Sequence, residues 1–425
     1  MQERPRLLLS SVSVLSLFAL LAGCAALPTP FVPEDDSMSF HGMNALVGEE
    51  APGRPLHVLL IHGMGTPTPN GFDPFIAQLA SRFGLVQIPP GPPQSQWQSC
   101  HQETAAQPTL IQPKPEPIDN PAAAPENLAR LYTYNFAPSP NAKPTLTVSY
   151  LLWAPLTAEV KCDLEKEDKS APEKQAFASF AKDFIDDKLA DALLYAGSYR
   201  EKVMRPSVQG ALCIVTGGQW DADKRTCAPG DYQDPTVIIT HSLGGYMLMD
   251  SIQDELRDCR PNSRRDPAER ILENTPGIYM MANQLALLNL STLHRDPQAP
   301  KTTPATDAVT NKFAKCWLIA RAARARAEGR PSQTAISQVV AFSDPNDILS
   351  WRLEPKNLRL PRSDWGEIAV TNVFMSNNEF SVPGLFSDPT NAHTGYFVNP
   401  TVMDMLICGM TNGVVPPCAG GVAAR

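Results

Sequence analysis

The stretch Thr236-Val237-Ile238-Ile239-Thr240-His241-Ser242-Leu243-Gly244-Gly245 decides the fold. Its first five residues are all β-branched, which favours an extended backbone. The two glycines admit a tight turn, and Tyr246 to Leu256 carries apolar residues at helical spacing. Strand, turn and helix therefore follow in direct succession. Earlier in the chain, Leu56-His57-Val58-Leu59-Leu60-Ile61 is nearly continuous apolar sequence ending in His62-Gly63-Met64-Gly65, as expected of a strand buried on both faces. Asp73-Pro74 predicts a helix start, with Asp as cap and Pro at the first position. Leu146 to Trp153, Ile278 to Met281, Ser337 to Phe342 and Ile368 to Phe374 read as further strands. Ser170-Ala171-Pro172-Glu173 has the form of a capping box. Phe177, Phe180, Phe184, Leu189 and Leu193 then predict the apolar face of a helix whose other face is charged. Such alternation predicts an α/β fold, a mostly parallel sheet with helices on both faces.

The domain plan follows from the breaks in that pattern. Residues 56–425 read as one domain with insertions at about 89–144, 155–215 and 284–335. Thirteen prolines between Pro89 and Pro144 predict a surface excursion without long regular elements, pinned in part by Cys100. Met280, Met281, Leu285, Leu287, Leu288 and Leu290 fit core packing or the wall of an acyl pocket, and Arg321, Arg324, Arg326 and Arg330 fit a solvated helix face better than a lipid-phosphate contact.

Four segments carry chemistry. His241-Ser242-Leu243-Gly244-Gly245, between a β-branched strand and a helix, resembles the nucleophile elbow of the α/β-hydrolases, with Thr240 in place of the first glycine of Gly-x-Ser-x-Gly. His62-Gly63-Met64-Gly65 is similar to the His-Gly segment of lipases and esterases. The resemblance therefore implies an oxyanion hole made by the Met64 and Leu243 backbone amides. Phe342-Ser343-Asp344-Pro345-Asn346-Asp347 follows a strand where the family places its acid, and the spacing favours Asp347, with Asp344 as the alternative. His393, in Asn391-Ala392-His393-Thr394-Gly395-Tyr396, falls in the loop of the family's base, and the order serine, acid, histidine is the hydrolase order. His41, His57, His101 and His294 do not fit the base position, and His241 is expected to pack beside the nucleophile.

The resemblance implies a serine hydrolase that cleaves carboxylic esters of esterase or lipase type through an acyl-enzyme on Ser242, with no metal or organic cofactor. An acyltransferase would use the same triad with another acceptor. A non-catalytic envelope protein would keep the fold as a binding scaffold. No Cys-x-x-Cys, His-Glu-x-x-His or Gly-x-x-x-x-Gly-Lys-Ser/Thr occurs in the sequence.

Composition sets outer bounds. The chain has 425 residues, 43% hydrophobic and 19% charged, enough for a full-sized core. Its 44 acidic against 36 basic residues give a formal charge of −8, which speaks against a nucleic-acid partner. Arg4 and Arg6 before the apolar run Leu7 to Leu21 read as an export signal over residues 1–23. Leu21-Ala22-Gly23-Cys24 resembles a bacterial lipobox. It implies a lipidated Cys24, a tether to residue 55 and, with Ala25 after the cysteine, an outer-membrane protein facing the periplasm or the exterior. The other eight cysteines are an even number suited to an oxidising compartment. Neighbour pairing is the simplest expectation, with Cys213/Cys227 and Cys408/Cys418 closing short loops.

Overall fold

A computed structural model describes residues 30–417, except 35, 51–52, 89–99, 101–109, 112–115, 119–127, 171–180, 257–258, 260–265, 289–307, 355–357, 359–365 and 378–388. The predicted signal and Cys24, and Cys418, lie outside the described residues.

Nine strands form one sheet: β1 (Leu56–Ile61), β2 (Val86–Gln87), β3 (Glu116–Pro117), β4 (Arg130–Ala137), β5 (Leu146–Leu152), β6 (Thr236–His241), β7 (Gly277–Met281), β8 (Gln338–Ser343) and β9 (Ala369–Phe374). Their spatial order is β9-β8-β7-β6-β1-β5-β4-β2, with β3 also pairing β4. The six strands from β9 to β5 run parallel, and β4 is antiparallel to β5, β2 and β3. The fold is thus α/β with a mostly parallel sheet. Register brings Ile61, Thr240 and Met280 level across β1, β6 and β7, so the loops that leave these strands at His62, Ser242 and Ala282 emerge along one edge.

Both faces of the sheet are covered, which is why its parallel strands read as almost unbroken apolar runs. Leu59, Ile61 and Ile238 pack on one face with Met247, Ile252 and Trp317, while Val58, Leu60, Val237 and Ile239 pack on the other with Phe75, Leu79 and Leu406. The first layer includes α4 (Arg205–Val215), α5 (Leu243–Glu255), α6 (Pro267–Asn274) and α7 (Ala308–Ala327). The second includes α1 (Asp73–Arg82) and α8 (Pro400–Cys408). Met280, Met281, Leu285 and Leu288 are all buried in these layers, as core packing predicts. Leu290 lies outside the described residues.

Several local expectations change. The segment expected to be a tether is part of the domain from about residue 31: Phe40–His41 pairs with Gly409–Met410, and Val32, Phe40, Met43 and Leu46 are buried in its core. The eight-residue β4 lies inside the proline-rich excursion, because no proline interrupts Glu126 to Ala137; Tyr132, Tyr134 and Phe136 alternate with Leu131 between the two faces. Asp73 is the first residue of α1 and not its cap, and its buried carboxylate accepts the Tyr134 hydroxyl at 2.8 Å. Burial pushes that carboxyl up to about 6. Ser170 closes α2 (Pro155–Lys169), its hydroxyl donating to the Glu167 carbonyl at 2.6 Å, while Ala171, Pro172 and Glu173 of the predicted capping box lie outside the described residues. Phe177 and Phe180 lie outside the described residues. Ile185–Leu189 forms a π-helical turn leading into α3 (Ala190–Ala196). Its wider turn shifts the register, so Leu193 is 63% exposed while Asp187 and Asp191 point inward. The predicted basic face is also partly internal, since Arg321 on α7 is buried and donates to the Glu273 and Ile336 carbonyls.

Cys100–Cys162, Cys213–Cys227 and Cys259–Cys316 are disulfides, each joining consecutive cysteines of the described chain. Cys408 is disulfide-bonded too. Among the described residues no helix is long and apolar enough to cross a membrane.

Candidate active site

Ser242 sits at the sharp corner between β6 and α5, with φ 53° and ψ −125°. This conformation is strained for a residue with a side chain and persists only where its surroundings fix it. Here the Ser242 amide donates to the Met281 carbonyl at 2.8 Å, which extends the β6–β7 ladder through the corner. Close packing fixes the rest. A Cβ on Gly244 would stand 2.6 Å from the His62 carbonyl oxygen, and one on Gly63 would collide with the Ser242 Cβ. The serine corner and the loop after β1 therefore touch through two glycines. Thr240, at the position of the missing first glycine, is accommodated by the opposite exchange: Gly245 leaves room beside its hydroxyl, where a Cβ would stand 3.1 Å away.

His393 lies in a short helix, Pro389–Thr394, and closes on this corner. The Ser242 hydroxyl faces His393 Nε2 at 3.1 Å, and His393 Nδ1 faces both carboxylate oxygens of Asp347 at 2.9 Å. The sequence-predicted serine, histidine and first-choice acid thus meet in one hydrogen-bonded chain, and all three are buried. With Nδ1–H donating to the carboxylate, Nε2 is left as the acceptor for the serine proton. Asp347 is oriented by the Leu349 amide at 2.9 Å and the Tyr396 hydroxyl at 3.3 Å. Asp344 does not face the histidine. It accepts the Asn346 amide at 2.8 Å and the Asn377 amide at 2.6 Å, which makes it the brace of the loop that carries Asp347.

The role of Tyr396 and the hydrogen bond made by His241 escaped the sequence reading. Tyr396, three residues after His393, accepts the Asp344 amide at 2.7 Å while donating to Asp347, and so ties the loop of Asp347 to that of His393. His241 packs against His393 with ring centroids 4.8 Å apart, as a neighbour of the nucleophile was expected to. It also donates from Nε2 to the His393 carbonyl at 2.7 Å. Burial and the adjacent imidazole hold it well below the usual histidine range, so it is a neutral donor that fixes the backbone of His393. Its position directly before the serine was the available signal.

The loop after β1 is set from below. The His62 ring stacks on Trp153 at 4.6 Å, and its Nε2 accepts the Trp153 amide at 3.1 Å and the Ala154 amide at 3.3 Å. Burial pushes His62 down to about 3, consistent with a ring that must stay neutral to accept at one nitrogen while Nδ1 donates to the Gly63 carbonyl at 2.7 Å. Neither the Met64 nor the Leu243 amide has an acceptor among the described residues. The Leu243 amide is the first of α5, where helix geometry leaves N–H groups free, whereas Met64 lies in the loop after β1, where a buried donor ordinarily has a partner. A cavity of about 500 Å³ lined by Arg54, Tyr232, Asn274 and Arg324 lies at the opposite edge of the sheet and shares no residue with this site.

No known protein family, curated protein or solved structure matches this chain in the comparisons made.

Proposed function

We propose that the protein is a serine hydrolase of α/β-hydrolase type that cleaves carboxylic esters through an acyl-enzyme on Ser242. The observation that carries this reading is the continuous Ser242–His393–Asp347 chain, 3.1 Å and 2.9 Å long in its two links, at a strained strand-to-helix corner. The Met64 and Leu243 amides, which have no acceptor among the described residues, support it.

In the proposed cycle His393 Nε2 takes the Ser242 proton as the oxygen attacks the acyl carbonyl. The negative charge that develops on the carbonyl oxygen is met by the Met64 and Leu243 amides. His393 passes its proton to the departing alkoxide, which leaves as the alcohol. Water then gives a proton to His393 and attacks the acyl-enzyme, and the acid is released with the proton returned to Ser242. Asp347 stabilises the imidazolium in both halves.

Turnover of p-nitrophenyl esters, from acetate to palmitate, tests the reading: the folded protein is expected to hydrolyse at least one chain length with saturation. A folded, disulfide-intact protein that leaves the whole series untouched contradicts it.

The lipobox Leu21-Ala22-Gly23-Cys24 supports placing the enzyme on the outer membrane by acyl chains on Cys24, with an ester or lipid-like small molecule as substrate. Metabolic labelling with an alkynyl fatty acid should mark the wild type and be lost in Cys24→Ser. Label that persists in the variant refutes the assignment.

A further inference from the structure

The insertion between β5 and β6 puts a buried charge cluster against the oxyanion loop. Lys161 on α2 has no exposed side-chain surface, and its ammonium donates to Asp187 Oδ1 at 3.0 Å and Asp191 Oδ2 at 3.1 Å. The same two carboxylates reach across to the loop after β1. Asp191 Oδ2 accepts the Gly65 amide at 2.8 Å, and Asp187 Oδ1 accepts the Thr66 hydroxyl at 2.6 Å. Thr157, also on α2, fixes the remaining Asp191 oxygen at 2.7 Å. The packing is close: Gly65 has φ +99°, and a Cβ there would meet Lys188 Nζ at 2.5 Å and the Asp187 carboxylate at 3.2 Å.

Such a cluster is a poor stabiliser. Burying Lys161 and two carboxylates, with Lys188 Nζ 3.6 Å from Asp187 at the margin, costs desolvation that their attraction only about repays, and apolar side chains of similar volume commonly do as well or better. What ion pairs with fixed geometry do supply is direction. Here the direction is given to one peptide unit, because the Gly65 N–H turned toward Asp191 belongs to the peptide that begins at the Met64 carbonyl. With Gly65 committed to Asp191 and Gly63 pressed on Ser242, Met64 is clamped from both sides and its own amide is left without an acceptor among the described residues.

We propose that Lys161, Asp187 and Asp191 are positioning residues for the oxyanion hole: they hold the loop 63–66 so that the Met64 amide stays aimed at the developing charge. This rests on the hydrolase reading above. The insertion is then part of the catalytic apparatus, acting through the loop backbone without touching substrate.

The test compares an oxygen ester with its thionoester, whose carbonyl sulfur is larger and accepts hydrogen bonds more weakly. A well-placed amide pair favours the oxygen substrate, and a displaced one loses that preference. A variant that is merely less folded lowers both rates equally and leaves their ratio unchanged. Asp191→Ala is expected to lower kcat for the oxygen ester by about 10- to 100-fold with little change in KM. The oxygen-to-sulfur ratio should fall by a similar factor. Asp191→Asn, whose amide oxygen can still accept the Gly65 N–H, should recover much of it. If Asp191→Ala does not fold, Thr66→Val decides, since it keeps both Lys161 pairs and removes only the Asp187 link; a smaller fall in the ratio is expected. An unchanged ratio in the folded variants overturns this inference while leaving the hydrolase reading intact. A wild type that turns over neither ester overturns that reading, and this inference with it.

Discussion

Ser242→Ala is expected to reduce ester turnover by about 10⁶-fold, the scale seen when the nucleophile of a serine triad is removed, with little loss of stability. Both halves of that expectation come from the same geometry. The hydroxyl is buried and its partner is His393 Nε2, so its removal deletes one net hydrogen bond, worth about 1 kcal/mol, and opens almost no cavity. The backbone is unaffected, because alanine meets the same strain as serine at φ 53°. Ser242→Gly should be just as inactive and the more stable of the two, since glycine adopts that conformation without the cost of a Cβ, on the order of 1–3 kcal/mol. Thermal unfolding beside initial rates checks both statements. An inactive Ser242→Ala that has also lost its folding transition, or one that keeps wild-type turnover, goes against them.

Asp347→Asn carries the second largest effect, a fall in kcat of about 10⁴-fold. The carboxylate faces His393 Nδ1 with both oxygens at 2.9 Å, which forces the proton onto Nδ1 and leaves Nε2 to receive the proton of Ser242. An amide in its place turns an NH₂ toward the ring or leaves one donor facing another, and the imidazolium formed during attack loses its counter-charge. Asp344→Asn should behave differently. Its oxygens serve the Asn346 and Asn377 amides, so the damage falls on the loop and appears mainly in the melting temperature. Rates of the two variants, measured on the same ester, separate the roles. A larger rate loss in Asp344→Asn contradicts the assignment of the acid.

The parts of this site that the sequence reveals are those fixed by local chemistry. Thr236 to Gly245 shows a strand, a turn and a helix because β-branching and paired glycines act over a few residues. The aspartate at 347 is favoured over 344 by its distance from the strand end, and the contacts agree. What the sequence hides depends on partners far along the chain. Asp187 and Asp191 look like the solvated face of a helix until Lys161 and the loop at Gly65 and Thr66 supply their bonds, and nothing local marks the π-turn that rotates them inward. The strand Arg130–Ala137 is obscured because a proline count over a long window conceals a proline-free interval long enough for a strand. Ser170 fits a helix start by composition alone. The carbonyls that its hydroxyl and amide meet belong to the helix before it, and composition alone does not show that second role.

Fluorophosphonate labelling followed by peptide mass mapping tests the central claim most directly, because the probe reports an activated serine whatever the natural ester is. The account predicts one covalent adduct, on Ser242, in the folded wild type and none in Ser242→Ala. A folded wild type that takes up no probe, or one that carries the adduct on a different serine, contradicts it.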